Sequence, residues 1–222
     1  MMIVFHSFFD LNLFGYYSID LYSGFWMSFA RIIEIIFIFL VGISLTISYS
    51  RSKEKSFTKY LKRGLKIFSW GLLITIMTWL FFKERFVLFG ILHFIGIAII
   101  FAYPFVKFMK PALNIILGAI IIFLGICILN LRFNFPYLLW LGFLPYNFHT
   151  LDYFPIFPWF GVVLLGVSSG KILYPNGNRI INLPELSRFK IVRLLKFLGQ
   201  HSLFIYLIHH LIIIALLHIF FL

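Results

Sequence analysis

The chain has 222 residues, 62% hydrophobic, 21% aromatic and 12% charged, with a formal net charge of +12 and a mean hydropathy of +1.03. A soluble globular domain is about half apolar and a quarter charged, so this balance excludes one. The basic residues gather in a few connections between apolar runs, which argues against a nucleic-acid partner and for membrane lipids with anionic headgroups.

Met1–Phe14 is apolar, but at about 1.5 Å per residue it covers roughly 20 Å, short of the hydrocarbon core. Gly15–Gly24 reads as an outer loop with interfacial tyrosines. In the next span, Phe25–Tyr49, Arg31 and Glu34 lie one turn apart and can pair on a helix face. The connector Arg51–Lys66, RSKEKSFTKYLKRGLK, sets Arg51, Lys53, Lys55, Lys59, Lys62, Arg63 and Lys66 against Glu54 alone. A basic connector between apolar runs marks the cytoplasmic side of a membrane protein.

A third span is expected over Gly64–Phe82, followed by a tight outer turn at Lys83–Arg85. Phe86–Val106 returns inward and is closed by Lys107 and Lys110; Ala112–Leu131 goes out again, with Pro111 suited to a first helical turn. Arg132–Phe157 is a long outer connection, and Pro158–Tyr174 goes back in. The inner loop Pro175–Phe197 includes the amphipathic stretch LSRFKIVRLLKFLG, suited to the membrane surface. Gln200–Leu222 is the last span. Outer connections hold only Lys83, Arg85 and Arg132, and this asymmetry places the N-terminus in and the C-terminus out. The expected fold is an all-α polytopic transmembrane bundle of about seven segments in the cell membrane, a single domain over residues 1–222.

Several polar groups stand out against this apolar background. His6 and Asp10 fall on one helical face, where a carboxylate can orient an imidazole and raise its basicity for general-base work; helix capping is the structural alternative. His93, between Gly90 and Gly96, suits either a substrate contact or a bond to a neighbouring helix. His149 and Asp152 lie in PYNFHTLDYFPIFPWFG, whose prolines and aromatics suit folding back against the bundle as the floor of an outward-facing pocket. Trp159 in the same stretch is an interfacial anchor and candidate substrate contact. Ser202, Tyr206 and His209 or His210 fall at helical spacing and can line an interior stripe, with Tyr206 and His209 the substrate-facing candidates.

The sequence carries no phosphate-binding loop, dinucleotide fingerprint, H-E-x-x-H or G-x-S-x-G. Cys127 is the one cysteine, so neither a disulfide within the chain nor a cysteine metal cluster is available. The spacing of acids and histidines specifies no metal geometry, and no metal is predicted.

The stretches MIVFHSFFDLNLFG, FIFLVGISLTIS, KRGLKIF, FGILHFIGIAII, DYFPIFPWFGVVLLG and LGQHSLFIYLIHH occur in order along the whole chain. In them the chain resembles the bacterial and archaeal membrane proteins related to the catalytic domain of heparan-alpha-glucosaminide N-acetyltransferase. The resemblance implies a membrane acyltransferase that takes an acetyl or other acyl group from cytoplasmic acetyl-CoA or another acyl-CoA and passes it to an extracytoplasmic sugar or envelope acceptor. For such a transfer, the basic charge of Arg51, Lys62 and Arg63 suits the phosphates of the donor. Histidine–carboxylate spacing makes His6 with Asp10 the candidate to deprotonate the acceptor or carry the acyl group, and His149 with Asp152 the candidates to position it.

The chain departs from the family pattern twice. The Arg-x-x-x-x-Asp-x-x-Arg-Gly type segment expected ahead of Met2–Leu13 is missing, and Gly15–Gly24, which matches the loop bearing the eukaryotic enzyme's catalytic histidine, has none. The catalytic assignment therefore does not transfer residue for residue. Two other readings stay open. One is a small-solute or lipid transporter with His93, Asp152 and Arg31 along its path. The other is a non-catalytic membrane subunit, and homo-oligomerisation is compatible with all three.

Overall fold

The computed structural model describes residues 2–13, 23–81, 86–129, 131–146, 148–180, 189–209 and 212. The helices are α1 (Met2–Leu13), α2 (Gly24–Arg51), α3 (Phe57–Phe81), α4 (Ile91–Phe108), α5 (Pro111–Leu129), α6 (Ile156–Leu173) and α7 (Lys190–Gln200), followed by α8 (Ser202–His209). Among the described residues, α2 to α6 are each long and apolar enough to cross a membrane, and α7 with α8 makes a sixth candidate bent by 71°. A polytopic helical membrane protein is therefore what the sequence folds into. The chain divides into two compact units, Met1–Glu34 with Ile181–Leu222, and Ile35–Ile180.

The second unit is built around α4 and α6. Phe94, Ile99 and Ala102 of α4 and Val163, Leu164 and Val167 of α6 are almost completely buried. By contrast, α3 and α5 turn Leu72, Ile76, Leu80, Ile116, Phe123 and Ile126 outward, as helices facing lipid tails do. Lipid is as apolar as leucine, so these helices hold together by close approach at small residues. Gly42 of α2 and Gly166 of α6 show it best: a Cβ on Gly42 would collide with Val163 O and one on Gly166 with Phe39 O. One turn further along α2, the Thr46 hydroxyl lies 3.2 Å from both Gly42 O and Val167 O.

Between α5 and α6 the long connection folds on itself. Strands β1 (Arg132–Phe133) and β2 (Leu144–Pro145) pair in parallel, with a 3₁₀ turn at Leu139–Leu141 between them. Phe133 and Phe143 pack edge to face across the pair, centroids 4.8 Å apart.

Three expected boundaries are corrected. Helix α3 starts at Phe57, not Gly64. Lys59, Lys62, Arg63 and Lys66 read as loop because they are charged, yet long basic side chains sit comfortably on a helix at the membrane surface. Helix α4 starts at Ile91, not Phe86, because Phe86–Gly90 is extended and tied laterally: Val87 N–H donates to Thr78 Oγ1 at 3.1 Å and Phe89 O accepts from Phe154 N–H at 2.9 Å. Helix α6 opens at Ile156 with its first turn broken at Phe157 (φ −90°, ψ 127°) and a cis Phe157–Pro158 bond. Among the described residues α1 covers Met2–Leu13, and what adjoins it at 1 and 14–22 lies outside them. Most of the last span, Gln200–Leu222, lies outside the described residues beyond His209.

Candidate active site

At the amino end of α4, polar side chains from α3, α4 and the connection before α6 meet. The Thr75 hydroxyl donates to Val87 O at 2.7 Å. It therefore offers His93 Nε2, 3.3 Å away, only lone pairs, and Nε2 must carry the proton. His93 Nδ1 then accepts Gly90 N–H at 3.3 Å. One neutral tautomer satisfies all these contacts. The imidazole is 2% exposed, edge-on to Phe68 and stacked on Phe89. Gly71 on α3 makes the room, since a Cβ there would lie 2.9 Å from His93 Nδ1.

Asp152 meets the same helix end from outside. Its Oδ2 accepts Ile91 N–H at 3.0 Å, an orphan donor of the first turn, and the helix dipole favours a carboxylate there. Gly90 lies directly beneath it, and a Cβ at Gly90 would collide with Oδ2. Thr150 adds a second tie, its hydroxyl donating to Phe86 O at 2.8 Å. The segment carrying His149 is thereby stitched to the strap that leads into α4.

Beside this seam lies an open cavity of about 370 Å³, lined by Leu144, Phe148, His149, Thr150 and Tyr153. His149 is exposed on its wall. Tyr153 is fixed by a hydrogen bond from its hydroxyl to Leu139 O at 2.7 Å and by its ring against Phe148 at 5.1 Å. Burial pushes its hydroxyl well above the usual tyrosine value, with the Arg132 guanidinium pulling weakly the other way. A cavity with an accessible imidazole, hydroxyls and two aromatic walls can hold a polar acceptor and take a proton from it.

The expected site residues divide accordingly. The structure brings Asp152 and His93 to one helix end and puts His149 on the cavity wall. Trp159 is different: its indole is 8% exposed, packs on Phe154 at 5.0 Å and is not among the residues lining the cavity. In the other unit, His209 Nδ1–H donates to Tyr206 O at 2.6 Å and the two rings pack with centroids 5.6 Å apart. His6 and Asp10 fall on α1, but their side chains lie outside the described residues. Among the described residues no three His, Cys, Asp or Glu side chains cluster at metal-binding distances.

At the opposite, basic end, Arg51 Nε donates to Gly177 O at 3.3 Å, while Lys62 and Arg63 are exposed near the start of α3. Tyr60 and Tyr103 pack there with centroids 5.2 Å apart, and the Tyr103 hydroxyl donates to Lys55 O at 2.8 Å.

Sequence reasoning passed over Thr75, Thr78, Thr150, Tyr153 and Lys171. The threonines had a signal: Thr75 and Thr78 sit one turn apart near the end of an apolar run, where a hydroxyl needs a partner beyond its own helix or bonds back to it.

The family model described as "Heparan-alpha-glucosaminide N-acetyltransferase, catalytic" matches residues 1–211. The chain belongs to this family. Neither a curated protein nor a solved structure matches it. Membership makes this member of the heparan-alpha-glucosaminide N-acetyltransferase family a multi-pass, acetyltransferase-like membrane protein with acyl transfer as its family-level activity. An acyl-CoA type of donor goes with that family-level activity.

Proposed function

We propose that this family member moves an acetyl or other acyl group from cytoplasmic acyl-CoA to an extracytoplasmic sugar or envelope acceptor, seated in the cavity beside His149. The observation that carries the reading is the cavity itself, open, walled by His149 and Tyr153, and anchored by Asp152 to α4. The exposed Lys62 and Arg63 at the other end of the same unit suit the phosphates of the donor. Asp152 acts here through positioning, because its carboxylate holds the cavity segment on the helix.

In the transfer, an acceptor oxygen or nitrogen attacks the thioester carbonyl and loses its proton to a histidine. The C–S bond breaks as the new C–O or C–N bond forms, and the coenzyme leaves as a thiol after taking up a proton. His6, one helical turn from Asp10 in the sequence, is the proposed base on that spacing alone. His149 orients the acceptor.

The test is transfer of labelled acetyl from acetyl-CoA in sealed, oriented vesicles offered amino sugars and a lipid extract on the outer face. His6→Ala is expected to abolish transfer, and His149→Ala to raise the KM for acceptor more than it lowers kcat. Full transfer in both folded variants overturns the assignment. Gradient-coupled uptake without covalent change would instead establish a transporter.

A further inference from the structure

The helix that follows the second unit has no buried residue. On α7, Ile191, Leu194, Leu195 and Leu198 are 67%, 56%, 62% and 42% exposed. At about 100° per residue they form one stripe, with Arg193, Lys196 and Gln200 on the opposite side. An isolated helix of 11 residues is marginal in water, so this stripe has to be covered.

The charge says by what. Lys190, Arg193 and Lys196 are the charged residues of α7, with no acid among them, and Arg179 and Arg188 precede it in the sequence with Glu185 as the one acid between Arg179 and Lys190. A cationic face flanking an apolar stripe complements an anionic surface with an apolar interior. The bend narrows the choice further. At His201 the chain turns by 71° into α8, and the sequence continues as LFIYLIHHLIII. The turn is fixed by Phe197 O, which accepts both the His201 backbone N–H at 3.1 Å and its ring Nδ1–H at 2.9 Å. A soluble acidic partner gives no reason for a basic amphipathic helix to swing almost at right angles into an apolar one. A bilayer does, with one helix along its surface and the next entering it.

We propose that α7 is a docking helix for anionic phospholipid headgroups at the membrane surface, and that its docking sets the angle at which α8 enters the bilayer. The apolar stripe sinks below the headgroups while Lys190, Arg193 and Lys196 reach up along their own stems to the phosphates. The inference is independent of the acyl-transfer reading.

The experiment uses the full chain with a nitroxide at Leu195→Cys in a Cys127→Ser background, reconstituted in phosphatidylcholine alone or in an equal mixture with phosphatidylglycerol. Collision with oxygen, which partitions into lipid, is compared with collision with a water-soluble nickel chelate. In the mixed bilayer the label is expected to favour oxygen. Replacing the three cations (Lys190→Gln, Arg193→Gln, Lys196→Gln) should lower the docked-to-undocked ratio on the order of a hundredfold, about fivefold per charge. High salt on the unsubstituted helix should act in the same direction, which keeps the test valid if the triple variant misfolds. Equal access to the chelate in both bilayers overturns the proposal. So does shielding from both reagents regardless of lipid charge, which marks a face covered by protein, or shielding that follows protein density, which marks a second copy.

Discussion

The two ends of α4 use the same electrostatic device and differ in where it is mounted. At the amino end the Asp152 carboxylate accepts Ile91 N–H at 3.0 Å. At the carboxyl end the Lys171 ammonium donates to Phe105 O at 2.9 Å and also to Met109 O, with Asn114 Nδ2 reaching Phe105 O as well, at 3.3 Å. Each charge complements the helix dipole and satisfies orphaned backbone groups. But Lys171 sits within α6, one turn from Ser168, whose hydroxyl is tied to Pro111 O at 2.7 Å. It cannot leave α4 without moving a central helix. Asp152 sits on a connection, beside an open cavity. The helix-mounted charge makes a fixed joint, whereas the loop-mounted one makes a joint that can give, at the end where the proposed acceptor would enter and leave.

The comparison breaks first if the loop-mounted charge proves dispensable. Asp152→Ala should lower transfer on the order of 100-fold, the scale of a small misplacement of reacting groups, while costing only about 1 kcal/mol of stability as a lost cap. Acetyl transfer and thermal unfolding of the same preparation check both. An Asp152→Asn variant keeps an acceptor for Ile91 N–H and should recover much of the stability. Equal transfer by Asp152→Ala and the parent would remove the positioning role.

Lys171→Met is the mirror experiment, and its signature should be reversed. Losing a partly buried cation at a helix carboxyl end costs about 2 kcal/mol, read as a lower unfolding midpoint in detergent. Transfer by the protein that remains folded should stay within a few fold of the parent. Thr75→Val comes next: it orphans His93 Nε2–H and Val87 O together, for about 1 kcal/mol. Amide exchange at Phe86–Gly90 should speed up while the carboxyl end of α4 keeps its protection. Equal acceleration at both ends would mean that the strap is not a local joint.

The spans were legible because lipid allows little else: long apolar runs between basic connections become helices. His93 and Asp152 were legible singly, as ionisable groups in apolar surroundings. Their meeting was not, because the bond between Ile91 and Asp152 joins residues 61 apart, and no local period records it. The start of α4 was hidden for a related reason. Phe86–Gly90 is as apolar as the helix it precedes, and only the tertiary ties to Thr75, Thr78, Thr150 and Phe154 keep it extended. Lys171 disappeared into the count of basic residues at the inner end. Composition gives a lysine one reading there, as topology signal, and cannot tell a lipid-facing cation from one spent on two carbonyls. Trp159 shows the same limit, since no local period records the packing against Phe154 that buries its indole.

The smallest effect belongs to Tyr153, and it sharpens the comparison through pH. Burial raises this hydroxyl above its unfolded value near 10. Between those two values the folded chain keeps a proton that the unfolded chain has released, so stability is fully present below about pH 10 and falls as pH climbs toward the raised value. The hydrogen bond works in the same direction as burial: the phenol donates to Leu139 O at 2.7 Å, and a phenolate would face that carbonyl with two acceptors and no proton. The loss should appear first in the connection between α5 and α6, as faster proteolysis near Leu139–Tyr153 above pH 10. Tyr153→Phe should remove this pH dependence while lowering stability at neutral pH by about 1 kcal/mol. An unchanged alkaline profile in that variant would place the weak point elsewhere, and the cavity wall would then be no more yielding than the lysine-capped end.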